Sequence, residues 1–285
     1  MSEYRQSRVQ CLSPSGLHEM AYTEWGDAAN PRVLICAHGL SRVGRDFDDL
    51  ARDLAGAYRV VCPDVVGRGM STWLADPTHY NVPQYVSDMV TLIARLNPQS
   101  LHWVGTSMGG LIGMCLAALP KSPIKRLVLN DVGPVLKADA LKRIAQYVGQ
   151  SPPFADLAAA EAYIRAISAS FGLTTDAQWK RLTEISLKAD GGGFRMHYDP
   201  AIAVPFQTQN TGGADIELWN YYDAIRCPTL VVRGESSDLL DRATLARMSA
   251  RGPRAATVEI PGVGHAPMFM QPDQIKVVHD FLLQN

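Results

Sequence analysis

Short apolar runs alternate with stretches of helical periodicity along most of the chain. Buried strands are predicted at residues 32–37, 58–62, 101–105, 124–130, 229–233 and 256–260. Helices are predicted between and after them, at residues 47–54, 84–96, 107–119 and 274–283. Near-continuous apolar strands separated by helices are typical of a parallel sheet that is covered on both faces. The pattern therefore predicts an α/β fold, preceded by a hairpin of residues 9–12 and 17–25.

The alternation stops between residue 134 and about residue 220. Helical patterns at 138–148, 155–169 and 176–189 follow one another there without clear strands, and an irregular glycine run comes after them. The strand pattern resumes only at residue 229. We therefore expect a core domain of residues 1–133 and 220–285, with a helical cap of residues 134–219 inserted into it.

Composition limits the classes of binding partner and the cellular compartment that we expect for this protein. The 285 residues carry 27 basic and 28 acidic side chains, so no basic face for a nucleic acid is indicated. The amino terminus has no apolar segment typical of a secretory signal, and the apolar stretch at 108–119 is too short to span a bilayer. The five cysteines are an odd number without CxxC spacing, which favours reduced thiols. We expect a cytoplasmic protein with no membrane or nucleic-acid partner, and the oligomeric state stays open.

The sharpest chemical signal is Gly105-Thr106-Ser107-Met108-Gly109, which fits G-x-S-x-G. It lies between a predicted strand and a predicted helix. In that context the two glycines allow a tight turn that presents the serine hydroxyl above the sheet at a helix amino terminus. The motif predicts Ser107 as a nucleophile.

A serine hydroxyl needs a base to accept its proton. Of the seven histidines, His265 stands in a loop after the last predicted strand, at the same sheet edge as Ser107. Packing explains His102, inside a strand, and His279, on an amphipathic helix, while His197 in the cap is the weaker candidate. His265 is therefore the predicted base.

The histidine in turn needs an orienting carboxylate. Asp238 follows the strand at 229–233, and the order Ser107, Asp238, His265 suits a nucleophile-elbow enzyme. Asp131, at the end of the strand at 124–130, is the rival. We favour Asp238 because 27 positions separate it from His265, enough for one helix and one strand, and because Gly133 and Pro134 point to a structural exit after Asp131.

Acyl transfer also needs hydrogen-bond donors for a developing oxyanion. The backbone N–H groups of Leu40 and Met108 are the candidates, and His38 is expected to support the loop of Leu40. Arg42, directly after that loop, is a candidate for binding a substrate carboxylate, with Arg45 as its alternative. No metal site and no cofactor are predicted.

Aromatic side chains in and after the cap are expected mostly to pack it onto the core, and together to leave a largely apolar cavity. They are Phe154, Tyr163, Phe171, Trp179, Phe194, Phe206, Trp219, Tyr221 and Tyr222. Trp219 is the predicted substrate contact among them. A small or medium acyl compound with an apolar body is the expected substrate.

Taken together, these pieces resemble the α/β-hydrolase superfamily. The matching segments are His38-Gly39, the turn from Asp64 to Ser71, the elbow at Ser107, the run from Arg233 to Asp238, and Gly264-His265. The resemblance implies a mostly parallel eight-stranded sheet, a cap after the sixth strand, and Ser107, His265 and Asp238 as nucleophile, base and orienting acid. The chain is similar to bacterial esterases, enol-lactonases and carbon–carbon bond hydrolases.

Departures from the motifs of particular members of the superfamily limit the reactions that we expect. A serine at position 107 argues against the haloalkane dehalogenases and epoxide hydrolases, which use aspartate, and His38-Gly39-Leu40-Ser41 lacks the HGGG run of lipases and the HGGPG run of prolyl aminopeptidases. We expect a serine hydrolase that cleaves a carboxylic ester, lactone or related acyl bond through an acyl-enzyme. A carbon–carbon bond hydrolase, a cofactor-free haloperoxidase or perhydrolase, and a non-catalytic ligand-binding protein remain alternatives.

Overall fold

An eight-stranded sheet forms the centre of the computed structural model, which describes residues 4–205 and 213–284. In chain order its strands are β1 (Tyr4–Ser13), β2 (Gly16–Trp25), β3 (Arg32–Ala37), β4 (Arg59–Pro63), β5 (Ser100–Thr106), β6 (Ile124–Asn130), β7 (Thr229–Gly234) and β8 (Ala256–Ile260). Their spatial order is β1-β2-β4-β3-β5-β6-β7-β8. β1 pairs antiparallel with β2 and β2 antiparallel with β4, while all later pairs are parallel. The predicted mostly parallel sheet is confirmed.

Helices cover both faces of this sheet, and further helices lie in the stretch between β6 and β7. They are α1 (Asp48–Leu54), α2 (Val82–Leu96), α3 (Met108–Ala118), α4 (Ala138–Tyr147), α5 (Leu157–Ile167), α6 (Asp176–Ser186), α7 (Trp219–Ala224), α8 (Arg242–Ala250) and α9 (Pro272–Leu283). Local sequence explains where α2 starts and ends. The Asn81 side chain accepts the Gln84 N–H at its first turn, and Asn97 closes its end in the left-handed conformation with φ 47°.

Two hydrophobic layers sandwich the sheet, and the alternation along β3 divides between them. Val33 and Ile35 pack in the layer with α2 and α3. Leu34 and Cys36 pack in the other layer with side chains of α1 and α9. Because successive side chains of a strand point to opposite faces, a strand buried on both faces must be apolar throughout. This is the physical basis of the continuous apolar runs in the sequence.

The stretch between β6 and β7 carries α4, α5 and α6, but it is not purely helical as expected. The helix predicted at 176–189 ends at Ser186, and residues 187–190 pair antiparallel with 193–196. Gly191 and Gly192 turn between these strands with φ 55° and 90°, values that glycine adopts without strain. A second short pairing joins 135–136 to 216–217. The irregular glycine run is therefore a hairpin turn.

Main-chain hydrogen bonds tie this stretch to the loop after β4. The Gly69 N–H donates to the His197 carbonyl at 2.8 Å, and the Asp199 N–H donates to the Gly67 carbonyl at 2.8 Å. The Tyr80 hydroxyl also donates to the Asp199 carboxylate at 2.6 Å.

Within the described ranges, none of the helices has both the length and the apolar character needed to cross a lipid bilayer.

Candidate active site

Ser107 lies at the sharp turn between β5 and α3. Its backbone has φ 51°, a strained value for a residue with a side chain, and its carbonyl accepts the N–H groups of Gly110 and Leu111 as α3 begins. A Cβ on Gly105 would lie 2.2 Å from the Gly109 carbonyl oxygen, and one on Gly109 would lie 2.0 Å from the Ala37 carbonyl oxygen. The turn therefore requires glycine at both positions, as the motif predicts.

His265 and Asp131 complete a chain of hydrogen bonds that starts at Ser107. His265 Nε2 lies 3.0 Å from Ser107 Oγ, and His265 Nδ1 lies 2.6 Å from Asp131 Oδ2. The Asp131 side chain is fully buried and that of His265 is largely buried. Ser107 follows β5, Asp131 follows β6 and His265 follows β8, so the parallel sheet brings all three to one edge.

The prediction that Asp238 orients His265 is wrong. The Asp238 carboxylate instead pairs at the surface with the Arg143 guanidinium of α4, with Oδ1–Nη2 at 2.9 Å and Oδ2–Nε at 2.5 Å. The physical reason lies in the turn after β7, where the Ser237 N–H bonds to the Gly234 carbonyl at 2.9 Å. The Arg233 side chain also donates to the carbonyls of Ser237 and Leu240. These bonds turn the loop back before it reaches His265, so the Asp238 side chain faces solvent.

The same loop supports Asp131. The Gly234 N–H donates to Asp131 Oδ1 at 2.9 Å, and the Ser237 hydroxyl donates to Asp131 Oδ2 at 2.7 Å. Asp131 thus accepts three hydrogen bonds, counting His265, which is what a buried carboxylate needs. Ser237 was not singled out from the sequence. Its only signal in the sequence is its position three residues after Gly234, in a loop at the sheet edge where Ser107 and His265 also lie.

Asn130 joins the serine and histidine loops and was also not singled out. Its side-chain amide donates to Thr106 Oγ1 at 2.9 Å and to the Pro267 carbonyl at 2.8 Å, while its main-chain carbonyl accepts the Ser107 N–H at 2.9 Å. One residue at the end of β6 therefore fixes β5 and the chain just beyond His265 through its side chain, and Ser107 through its main chain. No local sequence pattern reveals such a role.

Leu40 and Met108 both lie near Ser107, since Met108 follows it in the chain and Gly39, before Leu40, approaches the Ser107 side chain. The Gly109 N–H donates to the His38 carbonyl at 3.1 Å, which docks the loop of Leu40 onto the start of α3. Among the described residues, neither the Leu40 N–H nor the Met108 N–H has a protein acceptor. Both residues line a cavity that reaches Ser107. Two free N–H donors at this place suit a developing oxyanion.

His38 supports this loop from inside the protein. Its Nε2 accepts the Val65 N–H at 2.9 Å, and its Nδ1 lies 2.7 Å from the Gly39 carbonyl oxygen. Complete burial lowers the pKa of His38 to about 3, and the nearby Arg68 and Arg42 charges act in the same direction. The imidazole is therefore neutral and its nitrogens are occupied, which agrees with a supporting role.

Ser107 borders two cavities. The smaller, of about 70 Å3, is bounded by Ser107, His265, Arg42, Tyr147 and Phe171 among others. The larger, of about 480 Å3, is bounded mainly by aliphatic side chains and by Tyr80 and Tyr85. Its aliphatic lining comprises Leu40, Val82, Met108, Leu111, Val132, Leu136, Leu141, Ile144, Ile216 and Leu239. The expected apolar cavity is present, and aliphatic side chains supply most of its wall.

Arg42 borders the smaller cavity, but its charge is already engaged. Its Nε and Nη2 form a two-point ion pair with Asp46 at 2.9 and 2.7 Å, and Nη1 donates to Ser186 Oγ at 2.7 Å. Both members of the pair are buried. The alternative, Arg45, pairs with Asp48 and stacks on Tyr4.

Trp219 does not reach the site, so its prediction as a substrate contact is wrong. Its ring is buried between the guanidinium groups of Arg247 and Arg251, 4.2 and 4.4 Å from its centroid, and meets Tyr222 edge-on. It borders neither cavity at Ser107 in the described structure. Of the other cap aromatics, Phe171 borders the smaller cavity, and Phe206 lies outside the described residues.

One buried group in the described part of the chain has side chains suited to a metal ion. The ligand atoms of Cys11, His18 and Asp88 lie within 4.8 Å of one another. Asp88 already accepts hydrogen bonds from His18 Nε2 at 3.0 Å and Gln84 Nε2 at 2.8 Å. Burial, with the Asp88 charge, raises the pKa of the Cys11 thiol to about 12, so the thiol stays protonated. The carboxylate is therefore satisfied without an ion.

Comparison with known proteins agrees with this geometry. A family model of the alpha/beta hydrolase fold matches residues 32–272. A 3-hydroxybutyrate-oligomer hydrolase from Cupriavidus necator is 56% identical over 280 residues, which cover 96% of this chain and 96% of the relative. An esterase from Mycobacterium tuberculosis is 29% identical over 275 residues, covering 93% of this chain and 84% of the relative.

A solved structure extends the similarity to three dimensions. An alpha/beta hydrolase from Novosphingobium aromaticivorans superposes with a TM-score of 0.88 at 36% identity, and the match covers 99% of each chain. The similarity therefore includes the stretch between β6 and β7 as well as the sheet.

Proposed function

This chain belongs to the alpha/beta hydrolase family, and from that premise we propose that it hydrolyses short oligoesters of 3-hydroxy acids, using Ser107 as nucleophile. The observation that carries the proposal is the hydrogen-bonded chain from Ser107 Oγ through His265 to Asp131. Nucleophile, base and orienting carboxylate in this arrangement are what acyl transfer through a serine requires. The similarity to the Cupriavidus oligomer hydrolase supports the substrate class.

The geometry supports the following reaction. Ser107 Oγ attacks the ester carbonyl carbon while its proton passes to His265 Nε2, and the carbonyl electron pair moves onto the oxygen. The N–H groups of Leu40 and Met108 stabilise that oxyanion. As the tetrahedral intermediate collapses, the bond to the alcohol oxygen breaks and His265 returns the proton to it. Water then repeats the sequence on the acyl-enzyme and releases the acid and free Ser107.

Asp131 keeps the imidazole ready for these steps. Its carboxylate accepts the Nδ1–H of His265, which leaves the Nε2 lone pair directed at Ser107. When His265 takes up the serine proton, the buried negative charge lies 2.6 Å from the imidazolium and stabilises it. The Gly234 and Ser237 donors hold the carboxylate in place throughout.

The larger cavity suits a short chain of small apolar units. An apolar cavity of about 150 Å3 is enough for a benzene ring, so a volume of about 480 Å3 has room for more than one unit of that size. The internal ester groups of a hydroxy acid chain carry no charge, which agrees with an aliphatic lining, and only its terminal carboxylate is charged. His265 borders only the smaller cavity at Ser107, so the alcohol that it protonates is placed on that side.

The proposal is tested with purified protein and defined substrates. The dimer and trimer of 3-hydroxybutyrate, p-nitrophenyl butyrate and an emulsified long-chain triglyceride are compared, with acid release followed by chromatography. We expect hydrolysis of the oligomers and of the short ester, little action on the triglyceride, and loss of orders of magnitude in Ser107→Ala. Intact oligomers alongside rapid hydrolysis of the p-nitrophenyl ester would contradict the substrate class, and activity retained in Ser107→Ala would contradict the mechanism.

A further inference from the structure

Arg68, in the loop after β4, is a fully buried cation next to the candidate oxyanion site. Its Nε donates to the Leu40 carbonyl at 2.8 Å, and its Nη2 lies 3.7 Å from Met108 Sδ. These are the two residues whose N–H groups would hold the oxyanion. The guanidinium thus bridges both halves of that site from behind, without itself bordering either cavity.

The other contacts of Arg68 are neutral. Its Nη1 donates to the Val66 carbonyl at 2.7 Å and to the Tyr85 hydroxyl at 2.9 Å, and the guanidinium lies over the rings of Tyr85 and Tyr80 at 5.0 and 5.6 Å from their centroids. Within residues 4–205 and 213–284, no carboxylate forms an ion pair with it. The other buried arginines differ in this respect, since Arg42 pairs with Asp46 and Arg233 pairs with Glu259.

A buried cation without a counterion is costly, and the protein offsets part of that cost with neutral acceptors and aromatic faces. No described carboxylate contacts the guanidinium in the resting site, and Asp199 approaches it only from beyond the Tyr80 hydroxyl. When the tetrahedral intermediate forms, a negative charge appears on the far side of Leu40 and Met108 from the buried guanidinium. In a low dielectric, a guanidinium and an oxyanion on opposite sides of these two residues attract each other strongly. This attraction exists only while the oxyanion is present, and not in the bound ester.

We propose that Arg68 is a positioning residue for the oxyanion site, which fixes Leu40 and Met108 and supplies a positive charge that favours the tetrahedral intermediate over the bound ester. The proposal rests on the function proposed above, with Ser107 as nucleophile. A buried arginine at such a place can have one of two roles. A residue that only supports the loop affects folding or substrate binding, whereas this role affects turnover.

The experiment compares Arg68→Met, which removes the charge at similar volume, with Arg68→Lys, which keeps the charge but loses the forked contact. Arg126→Met is the matched control, because Arg126 also donates to two main-chain carbonyls, those of Phe281 and Gln284, but lies near the opposite end of β6. Active sites are counted with a fluorophosphonate, so that kcat refers to correctly folded sites only. Ser107→Ala is measured in parallel.

Two ketone inhibitors provide the decisive readout. A trifluoromethyl ketone adds to the serine and places a charged oxygen in the oxyanion site, whereas the same ketone without fluorine binds without reacting. In Arg68→Met we expect kcat to fall about 10- to 100-fold, less than the 10²- to 10³-fold loss of a direct oxyanion donor. KM should stay within about twofold, and the Ki of the trifluoromethyl ketone should rise by the same factor as kcat falls. The unfluorinated ketone should bind unchanged.

Arg68→Lys should recover most of the lost turnover, and Arg126→Met should match the parent. The proposal is overturned if KM and the Ki of the unfluorinated ketone rise while kcat holds, or if kcat per titrated site is unchanged in Arg68→Met. It is equally overturned if Lys is no better than Met. Should Arg68→Met fail to fold, Arg68→Lys decides alone. Its Ki for the trifluoromethyl ketone should rise about threefold with KM unchanged, because one ammonium cannot hold both Leu40 and Met108, and an unchanged Ki would overturn the proposal.

The failure of this proposal is distinguishable from failure of the proposed function. Full activity in Ser107→Ala, or no inhibition of the parent by the trifluoromethyl ketone, would overturn the serine mechanism and the role of Arg68 with it. Inactive Ser107→Ala together with a fully active Arg68→Met would overturn the role of Arg68 alone.

Discussion

Replacing Asp131 by asparagine tests the candidate triad most directly. The substitution keeps size and shape, and the remaining amide oxygen can still accept the Gly234 N–H, which now lies 2.9 Å from Oδ1. The amide nitrogen, however, would take the place of Oδ2, which accepts from both His265 and Ser237. A donor would then face the Nδ1–H of His265. The imidazole escapes this clash by adopting the other tautomer, which places a hydrogen on Nε2, where a lone pair is needed.

The expected loss in kcat is about 10⁴-fold, the size found when this carboxylate is neutralised in serine protease triads. That corresponds to about 5 kcal/mol of transition-state stabilisation. The magnitude is reasonable here because the Asp131 side chain is fully buried and only 2.6 Å from His265, so little solvent screens the interaction with the imidazolium. Substrate binding does not require this charge, and we expect KM to change little.

Asp238→Asn is the matched control, since it makes the same chemical change at the neighbouring strand end. Asp238 and Arg143 are 47% and 40% exposed, and exposed ion pairs contribute about 0–1 kcal/mol to stability. We therefore expect kcat within about twofold of the parent.

The assay is hydrolysis of p-nitrophenyl butyrate and of the 3-hydroxybutyrate dimer, with kcat normalised to titratable active sites. Melting temperatures of both variants are measured alongside, to separate catalysis from folding. A loss below about tenfold in Asp131→Asn, or an equally large loss in Asp238→Asn at matched stability, would refute the assignment of Asp131.

Three further predictions follow from the cavities and the buried ionisable groups. Ala145→Phe enlarges an exposed residue on the border of the larger cavity and narrows it, so kcat/KM for the 3-hydroxybutyrate trimer should fall about threefold or more while that for p-nitrophenyl acetate holds; equal losses on both substrates would contradict the subsite. Arg42→Met leaves buried Asp46 without a partner, and urea titration should show a loss of about 3–5 kcal/mol in the free energy of unfolding, whereas an unchanged midpoint would count against the pair. Burial lowers the pKa of His38 to about 3, so below pH 6.5 the unfolded chain binds a proton that the folded chain does not. His38 alone should therefore lower stability by about 2 kcal/mol between pH 6.5 and 5, and a His38→Gln variant with an equally steep decline would disprove this.

Much of the fold could be predicted because its local signals agree with the tertiary structure. The sheet is buried on both faces, so its strands appear as continuous apolar runs, and the predicted strands at 124–130 and 256–260 match the observed bounds. The elbow at Ser107 could be predicted for a different reason. Neighbouring backbone lies about 2 Å from where the Cβ atoms of residues 105 and 109 would be, and only glycine tolerates that approach.

The stretch between β6 and β7 was harder to predict because its short strands do not repeat a buried pattern. Residues 187–190 continue the apolar and polar spacing of α6, so periodicity alone extends the helix. The Gly191-Gly192 pair was the better signal, since two glycines with positive φ are typical of a two-residue hairpin turn. The prediction that Trp219 contacts substrate was wrong for a related reason. Aromatic character indicates burial but not the partner, and here the partners are two arginines distant in sequence.

The choice between Asp131 and Asp238 shows where sequence spacing stops being informative. β6 and β7 are neighbours in a parallel sheet, so both strands deliver an aspartate to the same edge, and a count of residues to His265 cannot rank them. What decides is the backbone at each position. Asp131 has φ 54°, a left-handed conformation that aspartate tolerates better than most residues, and its carboxylate meets the Gly234 N–H and the Ser237 hydroxyl. The segment from Gly234 to Asp238, which suggested Asp238 as the acid, thus donates two hydrogen bonds to Asp131. Asp238→Asn should therefore keep the arrangement of Asp131 and His265. Ser237→Ala should weaken it, because it removes one of the two donors.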